Sequence, residues 1–263
     1  MDLGLKGAQV LVTAASQGLG AATARRFSQE GAKVVINSRN AEKLQKVAAT
    51  ISKETSNPVF AIAGDMTQPK DIENLIDQSV NKLGGLDILI TNAGGPPGGV
   101  FDDFSMETWR ESTNLTFLSA VNLIHEAMPH LKQSSRAAVL AITSLSVKQP
   151  VPNLTLSNAI RPAVVGLMKT LSLEYGALGI RFNSILPGIT DTERVDHLMQ
   201  MRAEKNGTSP DEERQKAASA IPLQRTGKPE EFANAAVFLC SPAAGFITGV
   251  ALPVDGGSIR ATL

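Results

Sequence analysis

Short apolar runs alternate along this chain with longer stretches in which apolar residues recur every third or fourth position. The run Val10-Leu11-Val12 passes through Thr13 and small residues to Gly18 and Gly20, where Leu19, Ala22, Thr23, Arg26 and Phe27 take up helical spacing. Residues 33–37 (KVVIN) read as a second strand. A helix follows over 40–55, with Asn40 as its N-cap and Leu44, Val47, Ala48 and Ile51 on its inner face. Strands at 58–63, 87–91, 137–143, 181–186 and 250–254 continue the pattern. Helices are expected at 68–83, 105–131, up to 177, and at 229–240, where Pro229 suits a first turn. Most of the strands are continuous apolar runs, which marks a parallel sheet covered by helices on both faces. The expectation is an α/β fold: a single domain over residues 1–263 built on a doubly wound parallel sheet of about seven strands.

Composition narrows this picture. The chain has 263 residues, 43% hydrophobic and 19% charged, with 25 basic and 25 acidic side chains and no formal net charge. That balance excludes a nucleic-acid footprint, and no basic run suits an anionic membrane surface. Cys240 is the one cysteine and sits in an apolar helical pattern, so a buried thiol is expected and an intrachain disulfide is impossible. His125, His130 and His197 lie apart, so no metal site is expected. The opening MDLGLKGAQ holds no apolar leader run, and nothing approaches the ~20 residues of a spanning helix. The cytoplasm is the expected compartment.

In a doubly wound sheet, ligands gather at the carboxyl ends of the strands. Those ends here carry Thr13, Ser38-Arg39, Asp65-Met66, Asn92-Ala93-Gly94, Ser144 and Pro187-Gly188. The turn Ala15-Ser16-Gln17-Gly18-Leu19-Gly20 leads from a strand into a helix N-terminus, where unpaired N–H groups and the helix dipole receive a phosphate. At the second strand's end, an acid would accept ribose hydroxyls and a basic residue a 2′-phosphate; Arg39 is the basic residue there, favouring NADP(H) over NAD(H).

With these residues assembled, the chain resembles the short-chain dehydrogenase/reductase family, most closely its 3-oxoacyl-acyl-carrier-protein reductase group. Thr13 to Gly20 is similar to the TGxxxGxG motif with Ala14 in place of the first glycine, and Asn92-Ala93-Gly94 is similar to the NAG motif. Pro187-Gly188-Ile189-Thr190-Asp191-Thr192 is similar to the PG motif, and the run from Pro222 to Gly257 follows the family closely. The resemblance implies a Rossmann-like fold and hydride transfer between a nicotinamide and a carbonyl or alcohol. It places Asp65 at the adenine edge and Pro187, Gly188, Ile189 and Thr192 beside the nicotinamide. Helices over 105–131 and up to 177 would pair subunits into a homotetramer or homodimer.

The resemblance also locates the proton-transfer residues, and there the chain departs. Ser144 stands at the family's Ser. The Tyr-x-x-x-Lys segment falls on Ser157 to Arg161, and the Asn position on Thr116. Asn114 lies two residues early, about 200° round a helix. Tyr175, the one tyrosine, is ~27 Å along the same helix from Ser157. Ser157 is a poor acid and Arg161 a fixed cation able to bind ribose hydroxyls; losing a positioned acid typically lowers a rate by about 10²–10⁴. His197 and Lys148 are expected in loops within reach. Pro162 predicts a helix that kinks there or begins near Arg161, leaving Ser157 and Asn158 in a cap or turn.

A lid-like segment at about 190–220 carries Met199 and Met201, which suits an acyl or other hydrophobic substrate and equally a helix that caps the sheet edge. Two functions fit. One is an NADP(H)-dependent oxidoreductase acting on a small carbonyl or acyl substrate by an altered proton path. The other is a nucleotide-binding sensor or partner subunit with little turnover.

Overall fold

Val10 and Val12 point to one side of the first strand and Leu11 to the other, and all three are fully buried. The computed structural model, which describes residues 2–262, repeats that two-sided burial across a seven-stranded parallel sheet. In chain order the elements are β1 (Gln9–Val12), α1 (Gly18–Gln29), β2 (Lys33–Ser38), α2 (Ala41–Thr55), β3 (Val59–Ala63), α3 (Pro69–Leu83), β4 (Ile88–Thr91), α4 (Met106–Thr113) and α5 (Ser119–Leu131). There follow β5 (Ala138–Ile142), α6 (Thr155–Tyr175), β6 (Arg181–Pro187), α7 (Glu193–Asn206), α8 (Pro210–Ser219), α9 (Pro229–Cys240) and β7 (Ala251–Val254).

The strand order is β3-β2-β1-β4-β5-β6-β7, so the order in which strands are added switches sides between β1 and β4. Crevices at such a reversal, above the carboxyl ends, are where α/β sheets bind ligands. Phe27, Ile36, Leu44 and Phe232 fill the core under α1, α2 and α9. Leu11, Ile72, Leu123, Met168 and Phe182 fill the opposite core under α3, α5 and α6. Each such side chain stabilises the fold by about 1.5–3 kcal/mol. No described helix is long and apolar enough to cross a membrane.

Polar side chains stitch the amino ends of the strands. Asp87, just before β4, accepts the backbone N–H of Gln9 at 2.9 Å and the Ser134 hydroxyl at 2.6 Å. Arg181 donates to the Leu239 carbonyl at 2.6 Å and to those of Ile247 and Ser241, closing the C-terminus of α9 onto β6.

Three local expectations need correction. Helix α6 does not begin near Arg161: it starts at Thr155 and runs through Pro162, so Ser157 and Asn158 lie within its first turn. The Asn158 side chain holds Val151 through its N–H at 3.1 Å and its carbonyl at 2.9 Å, fixing the helix start. Leu156, Ile160, Val164 and Met168 bury one face, which outweighs the roughly 3 kcal/mol that an interior proline costs. The stretch 105–131 is not one regular helix, because Asn114–Leu118 form a π turn between α4 and α5. His197 lies not in a loop but on α7, exposed.

Candidate functional site

The turn after β1 is shaped by its neighbours on both sides. Thr13 is fully buried; its hydroxyl donates to the Asn92 carbonyl at 2.8 Å and accepts the Asn92 N–H at 2.9 Å. The Asn92 amide then donates to the Ala14 carbonyl at 3.3 Å, while the Ala15 N–H reaches the Asn37 carbonyl at 2.9 Å. Asn37 is itself tied to β3 through Ile62 and Gly64. Thr13, Ala15 and Asn92 thus hold the turn between β2 and β4. Ala14 pays in strain for its place, with φ at +47° where a glycine would be at ease. Gly20 has no room for a side chain: a Cβ there would stand 2.5 Å from the Ala14 carbonyl oxygen. Leu19 packs back against the core.

Above this turn opens a cleft of about 470 Å³. Ser16, Gln17, Ser38, Arg39, Asp65, Met66, Asn92, Ala93 and Gly94 all line it, drawn from the ends of β1 to β4. Asp65 takes both the backbone N–H and the hydroxyl of Thr67 on Oδ1, each at 2.9 Å, which fixes its carboxylate at the rim. Lys43 shares the cleft and contacts Gln17. Sequence reasoning missed it, although a readable signal existed: Asn40 caps α2 by accepting the Lys43 N–H at 2.8 Å, which puts Lys43 in the first turn beside Arg39. An adjoining cleft contains Gly18 and Thr192, and Thr192 Cγ2 lies 3.5 Å from where a Gly18 Cβ would be.

Pro187 ends β6. Gly188 then passes so close to Asp255 that a Cβ would meet its Cα at 2.7 Å. Ile189 borders a separate cavity of about 120 Å³ and does not line the larger cleft.

At the end of β5, Ser144 is extended and its Oγ accepts the Ser146 N–H at 3.1 Å. That leaves the Ser144 O–H as a donor for a substrate oxygen. Ser157 does not touch Ser144; its hydroxyl meets Ser146 Oγ at 3.2 Å, inside the protein. Ser146 is the link sequence reasoning missed, since the short 3₁₀ turn that aims it leaves no pattern. Arg161 is buried and donates to the Thr143 carbonyl at 2.9 Å and the Ile142 carbonyl at 3.5 Å. Burial, aided by the charge of Arg194, lowers its pKa to about 10, so it stays cationic at neutral pH.

Thr116 and Arg161 share a small void of about 10 Å³, roughly one water. Thr116 Oγ1 and Arg161 Nε are both buried there without a protein partner. Asn114 turns elsewhere, to the Thr67 carbonyl. Lys148 is exposed beyond the turn, and no described cluster of His, Cys, Asp or Glu suits a metal ion.

A glycine-shaped turn thus stands at the sheet's reversal, and a serine with a free O–H stands at the end of the fifth strand. The chain belongs to the short-chain dehydrogenase/reductase family: residues 13–258 match the family model described as Enoyl-(Acyl carrier protein) reductase. It is 32% identical over 259 residues to the 7alpha-hydroxysteroid dehydrogenase of Escherichia coli, covering 98% of this chain and 97% of the relative. Among solved structures it is similar to the L-sorbose reductase of Gluconobacter frateurii complexed with NADPH and L-sorbose. That match has a TM-score of 0.95 and 29% identity, over 99% of this chain and 100% of the other. An NADPH-bound short-chain oxidoreductase of Pseudomonas aeruginosa containing an atypical catalytic centre is also similar, with a TM-score of 0.89 and 28% identity over 98% and 99% of the two chains.

Proposed function

We propose that this protein is an NADP(H)-dependent reductase of a carbonyl substrate, a 3-oxoacyl thioester or another ketone, with an altered proton path. The observation that carries the reading is the single cleft gathering Ser16, Gln17, Arg39, Asp65 and Asn92 over a turn that admits only glycine at position 20. The residues present fit the dinucleotide. The N-terminus of α1 with Gly18 would receive its diphosphate, Arg39 and Lys43 a 2′-phosphate, Asp65 the adenine edge, and Arg161 the ribose beside the nicotinamide. When bound, the cofactor supplies the hydride.

Ser144 donates its O–H to the carbonyl oxygen and stabilises the negative charge that develops there. No tyrosine stands ready with a proton. Water ordered by Ser157 and Arg161 delivers it instead, and the unpartnered Thr116 Oγ1 and Arg161 Nε support a water in the void they share. The preference for NADP(H) over NAD(H) rests on Arg39 and Lys43. The assembly belonging to this reading is a homotetramer or homodimer through α4 to α6, where Met106, Leu118 and Leu173 are exposed. The compartment is the cytoplasm.

One observation favours a second reading. The Ser157 hydroxyl is turned to Ser146 rather than to Ser144, as it would be in a nucleotide-binding sensor or partner subunit with little turnover. Fluorescence titration with NADPH and NADH tests what the two readings share: NADPH should bind more tightly, and Arg39→Ala should narrow the difference. Binding of neither nucleotide refutes both. An NADPH-oxidation screen over acetoacetyl thioesters, ketones and quinones separates them, and any activity found should vanish in Ser144→Ala.

A further inference from the structure

Helix α7 begins beside the site, and its second residue, Arg194, is solvent-exposed and extends toward the loop after β4. The Arg194 guanidinium lies against Gly95, in the loop after β4, with Cζ 2.6 Å from the point a Cβ on residue 95 would occupy. The side chain therefore crosses from α7 to the wall opposite, near enough to Arg161 for its charge to oppose that residue's protonation. Neither guanidinium is in an ion pair among the described residues.

The acids nearby are engaged or turned away. Asp191 accepts from Arg214 at 2.5 Å and from Thr226 at 2.8 Å, and Asp196 is paired with Arg214. Glu193 Oε2 stands 3.8 Å from the Cβ position of Gly18, at the start of α1. Arg194 also occupies the first turn of its helix, where the dipole disfavours a cation. The first turn of α7 has its own acids in Glu193 and Asp196, but neither pairs with Arg194, so both guanidinium groups stand without a carboxylate partner among the described residues, and the buried Nε–H of Arg161 has no protein acceptor.

We propose that Arg194 binds the substrate, and that the carbonyl compound taken here carries an oxyanion, a carboxylate or phosphate, which Arg194 holds opposite Arg161. The proposal rests on the oxidoreductase reading and names its substrate class. The cofactor's diphosphate is the weaker candidate for that anion, because it would lie at Gly18, beside the Glu193 carboxylate, whereas Arg194 faces the other wall. The acid group takes no part in bond making; it fixes which carbonyl enters.

The test compares a short series of 2-oxo and 3-oxo acids with their methyl esters, using the full-length chain. NADPH oxidation gives the acid-to-ester ratio of kcat/KM, and calorimetry gives acid binding to the protein alone and with NADP⁺. Wild type should favour one acid over its ester, and Arg194→Ala should lower that ratio about ten- to a hundredfold, mainly through KM, with Arg194→Lys restoring part. A ratio unchanged in Arg194→Ala, or no acid of the series bound or turned over by wild type, overturns the proposal. So does a weakened NADPH Kd in Arg194→Ala with the ratio intact, which assigns the anion to the cofactor. If wild type binds an acid but oxidises no NADPH, the reductase reading falls. Loss of that binding in Arg194→Ala still supports Arg194 as the anion's partner.

Discussion

Replacing Ala14 by glycine should stabilise this protein, against the usual effect of that substitution. Ala14 sits at φ +47° because its carbonyl is fixed by Asn92 and the next N–H by Asn37. A side chain in that conformation costs about 1–2 kcal/mol, which glycine escapes. Glycine also loosens the unfolded chain, at a cost of about 0.4–1 kcal/mol. The difference is a net gain of about 0.5–1 kcal/mol, or roughly 1–4 °C in Tm for a chain near this size. Calorimetry of Ala14→Gly beside Ala15→Gly is the assay, because Ala15 is fully buried and is not in the left-handed region. Ala15→Gly should lose stability while Ala14→Gly gains it. Equal losses in both would refute the claim that the turn is strained at Ala14.

Gly20→Ala should weaken NADPH binding by about ten- to a hundredfold in a fluorescence titration, with the far-UV circular dichroism kept, since the clash is with rigid backbone atoms of Ala14 and Ala15. Ser157→Tyr with Arg161→Lys should raise carbonyl reduction by about 10²–10⁴ by restoring a positioned acid; retained NADPH binding without a gain would show that proton supply is not the limit. Hydrogen bonds from Lys216, Thr208 and Asn206 hold the Glu213 carboxyl down at about 2. Its stabilising effect is therefore complete above about 4.5 and is lost as pH falls toward 2. Protease susceptibility of the α7–α8 segment should rise over that window, and Glu213→Gln should flatten the dependence.

The sheet was readable from residue pattern because continuous apolar runs such as Val34-Val35-Ile36 report burial on both faces, and most strand bounds fall within one or two residues of expectation. Asn40 announced its cap for the same local reason. What escaped depended on contacts distant in sequence. Pro162 argued locally against a helix, and the buried face of Leu156, Ile160 and Val164 decided otherwise. The π turn at Asn114–Leu118 leaves no periodic mark, so counting by a regular helix gave the right separation of Asn114 from Thr116 without the geometry behind it. Ser144, Ser157 and Arg161 were placed by resemblance alone. The detour of Ser157 to Ser146 required coordinates, as did the reach of Arg194 to Gly95.

The anchoring of Asp87 and Arg181 gives the molecule a mechanical gradient. At the edge where the strands begin, Asp87 ties Gln9 to Ser134 and Arg181 ties three carbonyls, whereas the turn after β1 at the opposite edge borders the open cleft. Where β1 and β4 begin, these ties should make the strand roots stiffer than the tips around the turn. Amide exchange should be slowest at Gln9 and at Ala138, whose N–H reaches the Asp87 carbonyl, and should quicken toward the turn at Ala14.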